Sequence, residues 1–462
     1  MQTGHSGPSG IPRGAKLWEA EAIVTSDELA GWVQDARQGT FELVADLSDE
    51  RLMGPRMSIV NPLLWEIGHV TWFQEKWVLR HALGQGPARP DVDQLYDSMA
   101  IRHSVRWDLP LPSREETLSY MREVRDRVLD RLAQGNLNQE LVYFVKLAVF
   151  HEDMHTEAFT YTRQTHEYPP PRLTASSSLQ PPTAVPATEK ADEAGDVHIP
   201  AGTFLLGASP DEPFVLDNEK WAHPVQLRPF AISRTAVRQA EFAEFIEEDG
   251  YHRPEFWSEE GWKWRNEEGA EQPVYWRRGS QGEWARRDFD RWVPLEPDRP
   301  VIHVGWYEAQ AYCRWAGRRL PREAEWEAAA SASLDPDGLG LSTQKRLYPW
   351  GGDAPTPLRA NLDWQSMGTI DVTALAEGDS ASGCRQMIGN VWEWTSDDFL
   401  PYPGFVADPY KDYSEPWFRT RKVLRGGCWA TRSRLLRNTW RNFYEPHRRD
   451  VWAGFRTCSL ES

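Results

Sequence analysis

NQELVYFVKLAVFHEDMHTEAFTYTRQ, residues 138–164, has the apolar periodicity of one long helix. Within it, HEDMHTE places His151 and His155 four residues apart, which puts both imidazoles on one face of the helix. A third histidine, His69, lies in NPLLWEIGHVTWF, on a second predicted helix. Three histidines from two neighbouring helices would fill half an octahedron around a metal ion and leave three positions for substrate and dioxygen.

Four segments before residue 174 carry helical periodicity, and together they predict a four-helix bundle. They cover roughly residues 26–47, 61–83, 114–134 and 138–164. The helix-start signals agree, since Ser26 and Asp27 precede Leu29, and Ser113 is followed three residues later by Glu116. The interior of such a bundle is a common location for metal ligands.

A composition break divides the chain. TASSSLQPPTAVPATEKADEAG, residues 174–195, is rich in Pro, Ser and Ala and is typical of a flexible linker. We therefore predict a helical domain over residues 20–173, a linker over 174–195 and a second domain over 196–462. The second domain combines short strands and many turns with helices at about 307–317 and 321–331, so the chain is α+β overall.

Charge and composition exclude several classes of partner. The formal charge of −17 argues against nucleic acid and anionic membrane surfaces, because both require a basic face. No apolar run approaches the roughly 18 residues of a membrane span, and MQTGHSGPSGIPRGAK lacks the apolar core of a signal peptide. The four scattered cysteines indicate no disulfide framework. We expect a cytosolic protein that acts on small molecules.

The spacing of the histidines does not identify a metal. Three nitrogen ligands without a thiolate suit iron, zinc, copper or nickel, and a histidine pair at this spacing also occurs as packed core residues. Ligating imidazoles need hydrogen-bond acceptors that orient them. Acidic residues near the histidines are candidates for that role: Glu66, Glu152, Asp153 and Glu157.

The pattern HxxxHxE from His151 to Glu157, with His69 in G-H-x-x-W-F, resembles the N-terminal DinB-like bundle of the ergothioneine-type sulfoxide synthases. The later motifs VHIPAGTFLLGA, GNVWEWTSD, VLRGGCW and AGFR resemble the formylglycine-generating-enzyme fold, in the order that this family has them. The resemblance covers roughly residues 26–170 and 196–458. It implies that the three histidines hold a nonheme iron(II), with dioxygen as co-substrate and hercynine as substrate.

The resemblance also implies roles for residues outside the triad. Tyr402 in FLPYPGF stands where these enzymes carry the tyrosine that donates a proton to iron-bound oxygen. The substrate-binding positions that it implies are Asn442, Phe443, Tyr444, Met154, Arg102 and Arg106. Phe443 would contribute cation–π attraction to the quaternary ammonium of hercynine, and the two arginines occupy the region that meets the donor's carboxylates.

Two departures from the family pattern concern the donor. Tyr444 stands where the enzymes that use γ-glutamylcysteine carry an aspartate for the glutamyl ammonium, and Met154 stands where a glutamine is common. The sequence most resembles the selenoneine synthases, whose selenosugar donor is neutral and needs no such aspartate. The prediction is an enzyme that forms a carbon–selenium bond, and the alternative is a sulfoxide synthase that uses γ-glutamylcysteine or cysteine.

Two further functions are alternatives: a formylglycine-generating enzyme and a noncatalytic binding module. A formylglycine-generating enzyme acting on protein cysteines requires a close cysteine pair for copper, and only Cys428 lies near that region. A noncatalytic binding module would need no metal, because the C-terminal fold also serves in ligand and protein recognition. Neither explains the three histidines.

Overall fold

The computed structural model describes residues 24–174, 195–335 and 340–460, so nearly all of the predicted linker lies outside the described residues. The N-terminal domain is the predicted helical bundle. Its helices are α1 (Ser26–Val44), α2 (Asp49–Met53), α3 (Leu63–Gln74), α4 (Val92–Tyr96), α5 (Arg114–Ala133) and α6 (Gln139–Thr165). A π-helical segment, Glu75–Ala82, follows α3 directly, and a 3₁₀ helix, His103–Asp108, precedes α5.

Local sequence explains where the long helices begin. Ser113 caps α5 in a reciprocal capping box with Glu116, as predicted. Helix α1 begins at Ser26, as predicted, but its capping box is formed by Thr25 and Glu28 rather than by Ser26 or Asp27. Asn138 caps α6 by accepting a hydrogen bond from the Leu141 N–H at 2.7 Å.

A buried ion pair ties α1 to α6. The Arg37 guanidinium donates to both Glu152 oxygens at 2.8 and 3.1 Å, and the Thr40 hydroxyl donates to the same carboxylate at 2.7 Å. Both charged side chains are almost fully buried. Removing one partner of such a pair costs about 3–5 kcal/mol, because the other charge is left buried without compensation. This pair fixes the middle of α6, next to the histidines.

The C-terminal domain is built from short strands. They are β1 (Asp196–Ile199), β2 (Gly202–Leu206), β3 (His223–Leu227), β4 (Phe230–Ser233), β5 (Trp276–Arg278), β6 (Trp284–Asp288), β7 (Arg291–Pro294), β8 (Arg318–Arg319), β9 (Ala332–Leu334), β10 (Leu341–Lys345), β11 (Trp392–Asp398), β12 (Lys422–Arg425), β13 (Asn442–Tyr444), β14 (Ala453–Gly454) and β15 (Cys458–Ser459). The helices are α7 (Gln239–Glu247), α8 (Glu259–Glu268), α9 (Trp306–Trp315) and α10 (Glu323–Ser331). The sequence predicted α9 and α10 but not α7 and α8.

Two four-stranded sheets organise this domain. One has the order β1-β4-β15-β8, and the other has the order β13-β12-β11-β14. In the second sheet, β13 is an edge strand that pairs antiparallel with β12, with Asn442 opposite Leu424. Asn442, Phe443 and Tyr444 on this edge strand line one pocket together with Met154 and Glu157 of α6.

Helix α6 is the bundle helix that packs against the C-terminal domain. The Trp452 indole donates to the Thr160 hydroxyl at 2.7 Å, and the Gln164 side chain both donates to Arg287 O at 3.0 Å and accepts from Phe289 N at 2.6 Å. One apolar cluster runs through both domains. The two domains therefore share a packed core along α6.

Two sequence expectations concern the whole chain. The four cysteines, Cys313, Cys384, Cys428 and Cys458, are buried and free. Among the described residues, no helix combines the length and the apolar character needed to cross a bilayer.

Candidate metal centre and aromatic pocket

The structure brings His69, from α3, together with His151 and His155, from α6. Each histidine offers one ring nitrogen to a group whose atoms lie within 4.8 Å of one another. The ring centroid of His69 lies 5.1 Å from that of His151 and 4.9 Å from that of His155. The two α6 imidazoles are 4.5 Å apart, as expected for positions i and i+4 on one helix face.

Hydrogen bonds orient two of the three imidazoles. The His69 Nδ1 lies 2.8 Å from the Tyr96 carbonyl oxygen, and the His155 Nδ1 lies 2.5 Å from a Glu66 carboxylate oxygen. Since Nδ1 is engaged in both rings, Nε2 is the free ligand atom. Gly68 permits this arrangement, because a Cβ there would lie 2.2 Å from the Tyr96 ring. The glycine of the G-H-x-x-W-F motif thus lets Tyr96 approach His69.

His151 has a different environment. Its ring stacks on Phe73 at a centroid distance of 3.6 Å, and its buried Nδ1 has no hydrogen-bond partner within the described parts of the chain. Burial lowers the pKa of His151 well below its usual value, and burial together with the charge of His155 lowers the pKa of His69 to about 3. Neutral imidazoles are the form that coordinates metals. The three residues fit a metal such as iron(II).

Glu66 orients one imidazole of the triad, that of His155. Burial alone would raise its pKa, but the charge and hydrogen bond of His155 and a hydrogen bond from Asn61 outweigh that effect and lower the pKa to about 2. The Asn61 amide donates to Glu66 at 2.5 Å and accepts from Arg106 at 2.7 Å. Arg106 also stacks on Trp65 at 3.9 Å. Glu66 therefore remains an ionised acceptor at the end of a buried polar chain.

We expect Glu66→Gln to weaken iron(II) binding by about 10–100-fold, because the carboxylate that orients His155 is replaced by a neutral amide. The measurement is iron(II) affinity under nitrogen, by competition with a coloured chelator. Glu115→Gln, at an exposed position on α5, is the matched control and should bind as the wild type does. Equal affinity in both variants would show that Glu66 contributes nothing to the site.

The other three acidic residues do not have the role expected from sequence. Glu152 accepts from Arg37 and Thr40, and Asp153 forms a bidentate pair with Arg434 at 2.7 Å. They lie on other faces of α6, where they hold α1 and the C-terminal domain. Glu157 also makes its hydrogen bonds away from the imidazoles, as described next.

A pocket of about 170 Å³ lies against α6 on the side of the C-terminal domain. We call it the aromatic pocket; its lining residues are Met154, Glu157, Trp392, Tyr413, Trp417, Thr431, Leu435, Trp440, Asn442, Phe443 and Tyr444. Met154 lies at i+3 from His151 and therefore on the same helix face as the triad. Four of the predicted substrate-binding residues line this one pocket: Met154, Asn442, Phe443 and Tyr444.

Glu157 is the carboxylate of the aromatic pocket. It accepts hydrogen bonds from the Trp392 indole at 2.7 Å and from the Thr431 hydroxyl. Burial raises its pKa despite these hydrogen bonds. On the opposite wall, the Phe443 ring stacks on Phe399 at 4.1 Å, and Tyr444 lies under the Arg448 guanidinium at 5.3 Å. The pocket thus combines aromatic walls with one buried acidic group.

The two predicted donor-binding arginines do not line the aromatic pocket. Arg102 is exposed and immediately precedes the 3₁₀ helix before α5. Arg106 is buried, but its hydrogen bonds to Asn61 and to the carbonyls of Ser98 and Ile101 commit it to the support of Glu66. Stacking on Trp65 turns Arg106 into the bundle, and contact of the two arginines with a donor stays a prediction.

The structure does not bring Tyr402 to the triad. Tyr402 belongs to the second apolar cluster, inside the C-terminal domain. Its hydroxyl donates to Glu323 at 3.3 Å, and its ring lies under the Arg441 guanidinium at 4.1 Å and beside His223 at 4.7 Å. The stacked arginine and the apolar neighbours hold Tyr402 in this core, and its role as proton donor stays a prediction.

Sequence reasoning missed Tyr410 and Tyr413. The Tyr410 ring lies 5.7 Å from the His151 ring and 4.7 Å from the Phe73 ring, while Tyr413 lines the aromatic pocket. Burial raises the pKa of the Tyr410 phenol, so it is protonated at neutral pH. The segment DPYKDY contains both tyrosines, but nothing in the sequence made either of them a better candidate for a functional role than Tyr402.

A buried ion pair anchors the loop that carries these tyrosines. The Lys220 ammonium donates to both Asp408 oxygens at 2.8 Å, and the Tyr143 hydroxyl, from α6, donates to the same carboxylate at 3.0 Å. Asp408 lies two residues before Tyr410. The loop is thus tied to the helix that carries His151 and His155.

Comparisons with known proteins agree with this architecture. Residues 33–159 match the DinB superfamily, and residues 181–459 match the sulfatase-modifying factor enzyme 1-like domain. The chain is 36% identical over 441 residues to a hercynine oxygenase from Mycobacterium tuberculosis, covering 94% of this chain and 99% of the relative. The chain belongs to the hercynine oxygenase family. A second family relative, from Mycolicibacterium thermoresistibile, is 37% identical over 446 residues and is covered to 95%.

A relative of another kind matches a smaller part of the chain. The formylglycine-generating enzyme of Streptomyces coelicolor is 34% identical over 278 residues, which is 53% of this chain and 81% of that protein. Hercynine oxygenases match both domains, and therefore also the helices that carry the histidines. The whole-chain match counts against the formylglycine-generating reading that the sequence left open.

Proposed function

We propose that this protein is an iron(II)-dependent enzyme that uses dioxygen to join the imidazole carbon of hercynine to the selenium of a selenosugar, the bond-forming step of selenoneine synthesis. Forming the carbon–selenium bond breaks the imidazole C–H bond and the Se–H bond and removes two protons and two electrons, and dioxygen accepts both pairs to give hydrogen peroxide. The observation that carries the proposal is the convergence of three histidine imidazoles beside a pocket with aromatic walls and no cationic lining residue among those described.

The imidazoles of His69, His151 and His155 would hold the metal. Iron(II) bound there would supply the ability to bind and reduce dioxygen while leaving coordination positions for both substrates. The chain's own contribution is to keep His69 and His151 neutral by burial and to fix the rings of His69 and His155 through Tyr96 and Glu66. The nitrogen-only ligand set and the orphaned Nδ1 of His151 support this assignment.

Hercynine carries a quaternary ammonium and a carboxylate, and the aromatic pocket suits its cationic end. Aromatic rings such as Phe443, Tyr413 and Trp440 attract a quaternary ammonium by about 0.5–2 kcal/mol each. Glu157 adds a buried acidic group on the α6 wall. The choice of hercynine as substrate also rests on the two relatives that are named hercynine oxygenase.

The same lining favours a neutral donor. γ-Glutamylcysteine brings two carboxylates and an ammonium, and each would need a charged partner on leaving water. Arg448, the cation stacked on Tyr444, is engaged with Asp450 through two hydrogen bonds of 2.6 Å. A sugar needs hydroxyl partners and a ring face, which Asn442 and Tyr444 provide.

Tyr410 holds the proton that the reaction needs beside His151. Its hydroxyl has no hydrogen-bond partner among residues 24–174, 195–335 and 340–460, and burial keeps the phenol protonated. A phenol can act as a general acid from this form. We therefore assign to Tyr410 the role that the sequence gave to Tyr402.

The second candidate is the same chemistry with a thiol donor, γ-glutamylcysteine or cysteine. The position of Arg448 over Tyr444 favours it, because a small shift away from Asp450 would present a cation to a donor carboxylate. A noncatalytic binding module is the remaining alternative, and it predicts no dioxygen uptake that depends on hercynine.

A competition assay tests the proposal. Iron(II)-loaded protein in air receives hercynine with equal amounts of 1-selenoglucose and γ-glutamylcysteine, and mass spectrometry identifies the products. We expect the selenium adduct to predominate by at least about tenfold, the effect of one unmatched charged contact. A sulfur adduct as the main product would overturn the selenosugar assignment, and absence of any adduct together with absence of dioxygen uptake would overturn the enzymatic one.

The variant Tyr444→Asp sharpens this assay. A carboxylate at this position lies near Arg448 and can pair with a donor ammonium, so the preference for selenium over sulfur should fall by about tenfold or more. Tyr444→Phe is the matched control, because it keeps the ring without adding charge, and it should retain the selenium preference. An unchanged product ratio in Tyr444→Asp would show that position 444 does not meet the donor.

A further inference from the structure

A second cavity of about 300 Å³ lies between the two domains, away from the triad. We call it the interdomain cavity; its lining residues are Val24, Trp32, Lys146, Phe150, Pro213, Phe214, Tyr348, Ala354, Pro355, Ser433, Arg434 and Arg437. It has no lining residue in common with the aromatic pocket. Helices α1 and α6 form one wall, and loops of the C-terminal domain form the other.

Arg437 presents an unused binding edge to this cavity. The residue is 5% exposed, yet its Nε and Nη2 atoms have no hydrogen-bond partner in the described chain. These two N–H groups point in the same direction and form the fork that grips a carboxylate with two parallel hydrogen bonds. Glu212 approaches Nε to 3.5 Å, but its oxygens accept from Ser209 N at 2.9 Å and from Thr439 at 3.3 Å.

Other buried arginines show how this protein normally uses that edge. Their Nε and Nη2 atoms hold carboxylates in four pairs: Arg37 with Glu152, Arg434 with Asp153, Arg441 with Glu323 and Arg456 with Glu393. In each pair the donor–acceptor distances lie between 2.6 and 3.1 Å. Arg437 differs from this group because only one carboxylate oxygen, from Glu212, approaches its edge, and it does so at 3.5 Å without a hydrogen bond.

Lys146 adds a second buried cation to the same cavity. It is 4% exposed, and its ammonium makes one long hydrogen bond, 3.3 Å, to the Pro213 carbonyl oxygen. An ammonium carries three donors, so most of its hydrogen-bonding capacity remains for a ligand. Arg434, by contrast, is fully engaged by Asp35 and Asp153. Two incompletely satisfied cations converge in a protein with a net charge of −17.

Apolar rings complete the cavity. Phe150 contacts Trp32 at a centroid distance of 6.0 Å and Phe214 at 4.8 Å, and Tyr348 lies on the side of Arg437. We propose that the interdomain cavity binds a small organic carboxylate with an aromatic or branched apolar body. The carboxylate pairs with the Nε–Nη2 edge of Arg437 beside Lys146, and the body packs against Trp32, Phe150 and Phe214.

Binding at this position connects the two domains. Trp32 and Lys146 belong to the bundle, and Phe214 and Arg437 belong to the C-terminal domain, so the ligand contacts both. Phe150 also immediately precedes His151 on α6. The ligand therefore stabilises the domain pairing by mass action, and the melting temperature should rise with its concentration.

The test is a calorimetric titration of the full-length, iron(II)-loaded protein under nitrogen with benzoate, with benzamide as the neutral control of equal shape. We expect one benzoate per chain and at least about tenfold weaker binding of benzamide, because the bidentate charged contact is lost. Arg437→Gln and Lys146→Met should each weaken benzoate by about tenfold or more. His151→Ala, titrated without iron(II), should bind benzoate as the wild type does, which separates this cavity from the metal site.

Several outcomes would overturn the proposal. They are no benzoate binding at millimolar concentration, equal binding of benzamide, or benzoate binding that survives both cavity substitutions. If Arg437→Gln fails to fold, Lys146→Met and the comparison of benzoate with benzamide on the wild type still decide. Because none of these readouts involves hercynine or turnover, a failure here is distinct from a failure of the proposed function.

Discussion

His151→Ala is expected to bind no iron(II) at micromolar concentration and to form no hercynine adduct. The substitution removes one of three imidazoles that converge within 4.8 Å, and two nitrogens cannot replace the set. Outer hydrogen-bond partners of metal ligands are already worth about 10–100-fold in affinity, so loss of a ligand should exceed that range. Iron content after desalting and adduct formation in air measure the two effects.

The control for this variant is His447→Ala, which removes an exposed histidine outside the triad and should leave iron content and turnover intact. Circular dichroism should show that His151→Ala keeps its helices, although loss of stacking on Phe73 lowers its stability. Full turnover by His151→Ala would refute the assignment of the histidines as metal ligands.

The architecture was predictable because its signals are local. The long helices have strong periodicity and explicit caps, and Ser113 caps α5 as predicted. The histidine triad was also accessible, since spacing on α6 fixes two of its members and the motif around His69 supplies the third. The contacts of individual side chains were harder to predict, because their neighbours come from distant parts of the chain.

The acidic residues of α6 show why. Glu152, Asp153 and Glu157 are consecutive or nearly so, yet they point to α1, to Arg434 and to Trp392 respectively. A helix rotates each successive side chain by about 100°, so proximity in sequence to a ligand does not mean contact with it. Glu66, one turn before His69 on another helix, is the residue that reaches His155.

The same limit applies to the arginines and to the helices α7 and α8. Arg106 was placed in the right region, but the face it presents depends on packing against Trp65. Helices α7 and α8 span nine and ten residues, as do α10 and α9 respectively, so length does not explain why only α9 and α10 were predicted. The sequence therefore predicted the helices that carry the three histidines better than the loops that line the aromatic pocket.

Tyr410→Phe should reduce the rate of product formation by about 10²–10⁴-fold while leaving iron(II) content unchanged. The phenol lies beside His151, with ring centroids 5.7 Å apart, and burial keeps it protonated. Phenylalanine preserves the contact with Phe73 but has no proton to deliver. Single-turnover kinetics with hercynine and donor, together with iron analysis, measure both quantities. A rate within a few-fold of the wild type would exclude Tyr410 as the proton donor.

Tyr402→Phe is the decisive partner of that experiment, because sequence motifs favour Tyr402 and the geometry favours Tyr410. Loss of the Tyr402 hydroxyl removes one 3.3 Å hydrogen bond to Glu323, worth about 1 kcal/mol of stability, and keeps the ring under Arg441. Its turnover should stay within a few-fold of the wild type. If Tyr402→Phe instead lost activity while Tyr410→Phe kept it, the proton would come from the C-terminal core, and the loop anchored by Asp408 would have to rearrange during catalysis.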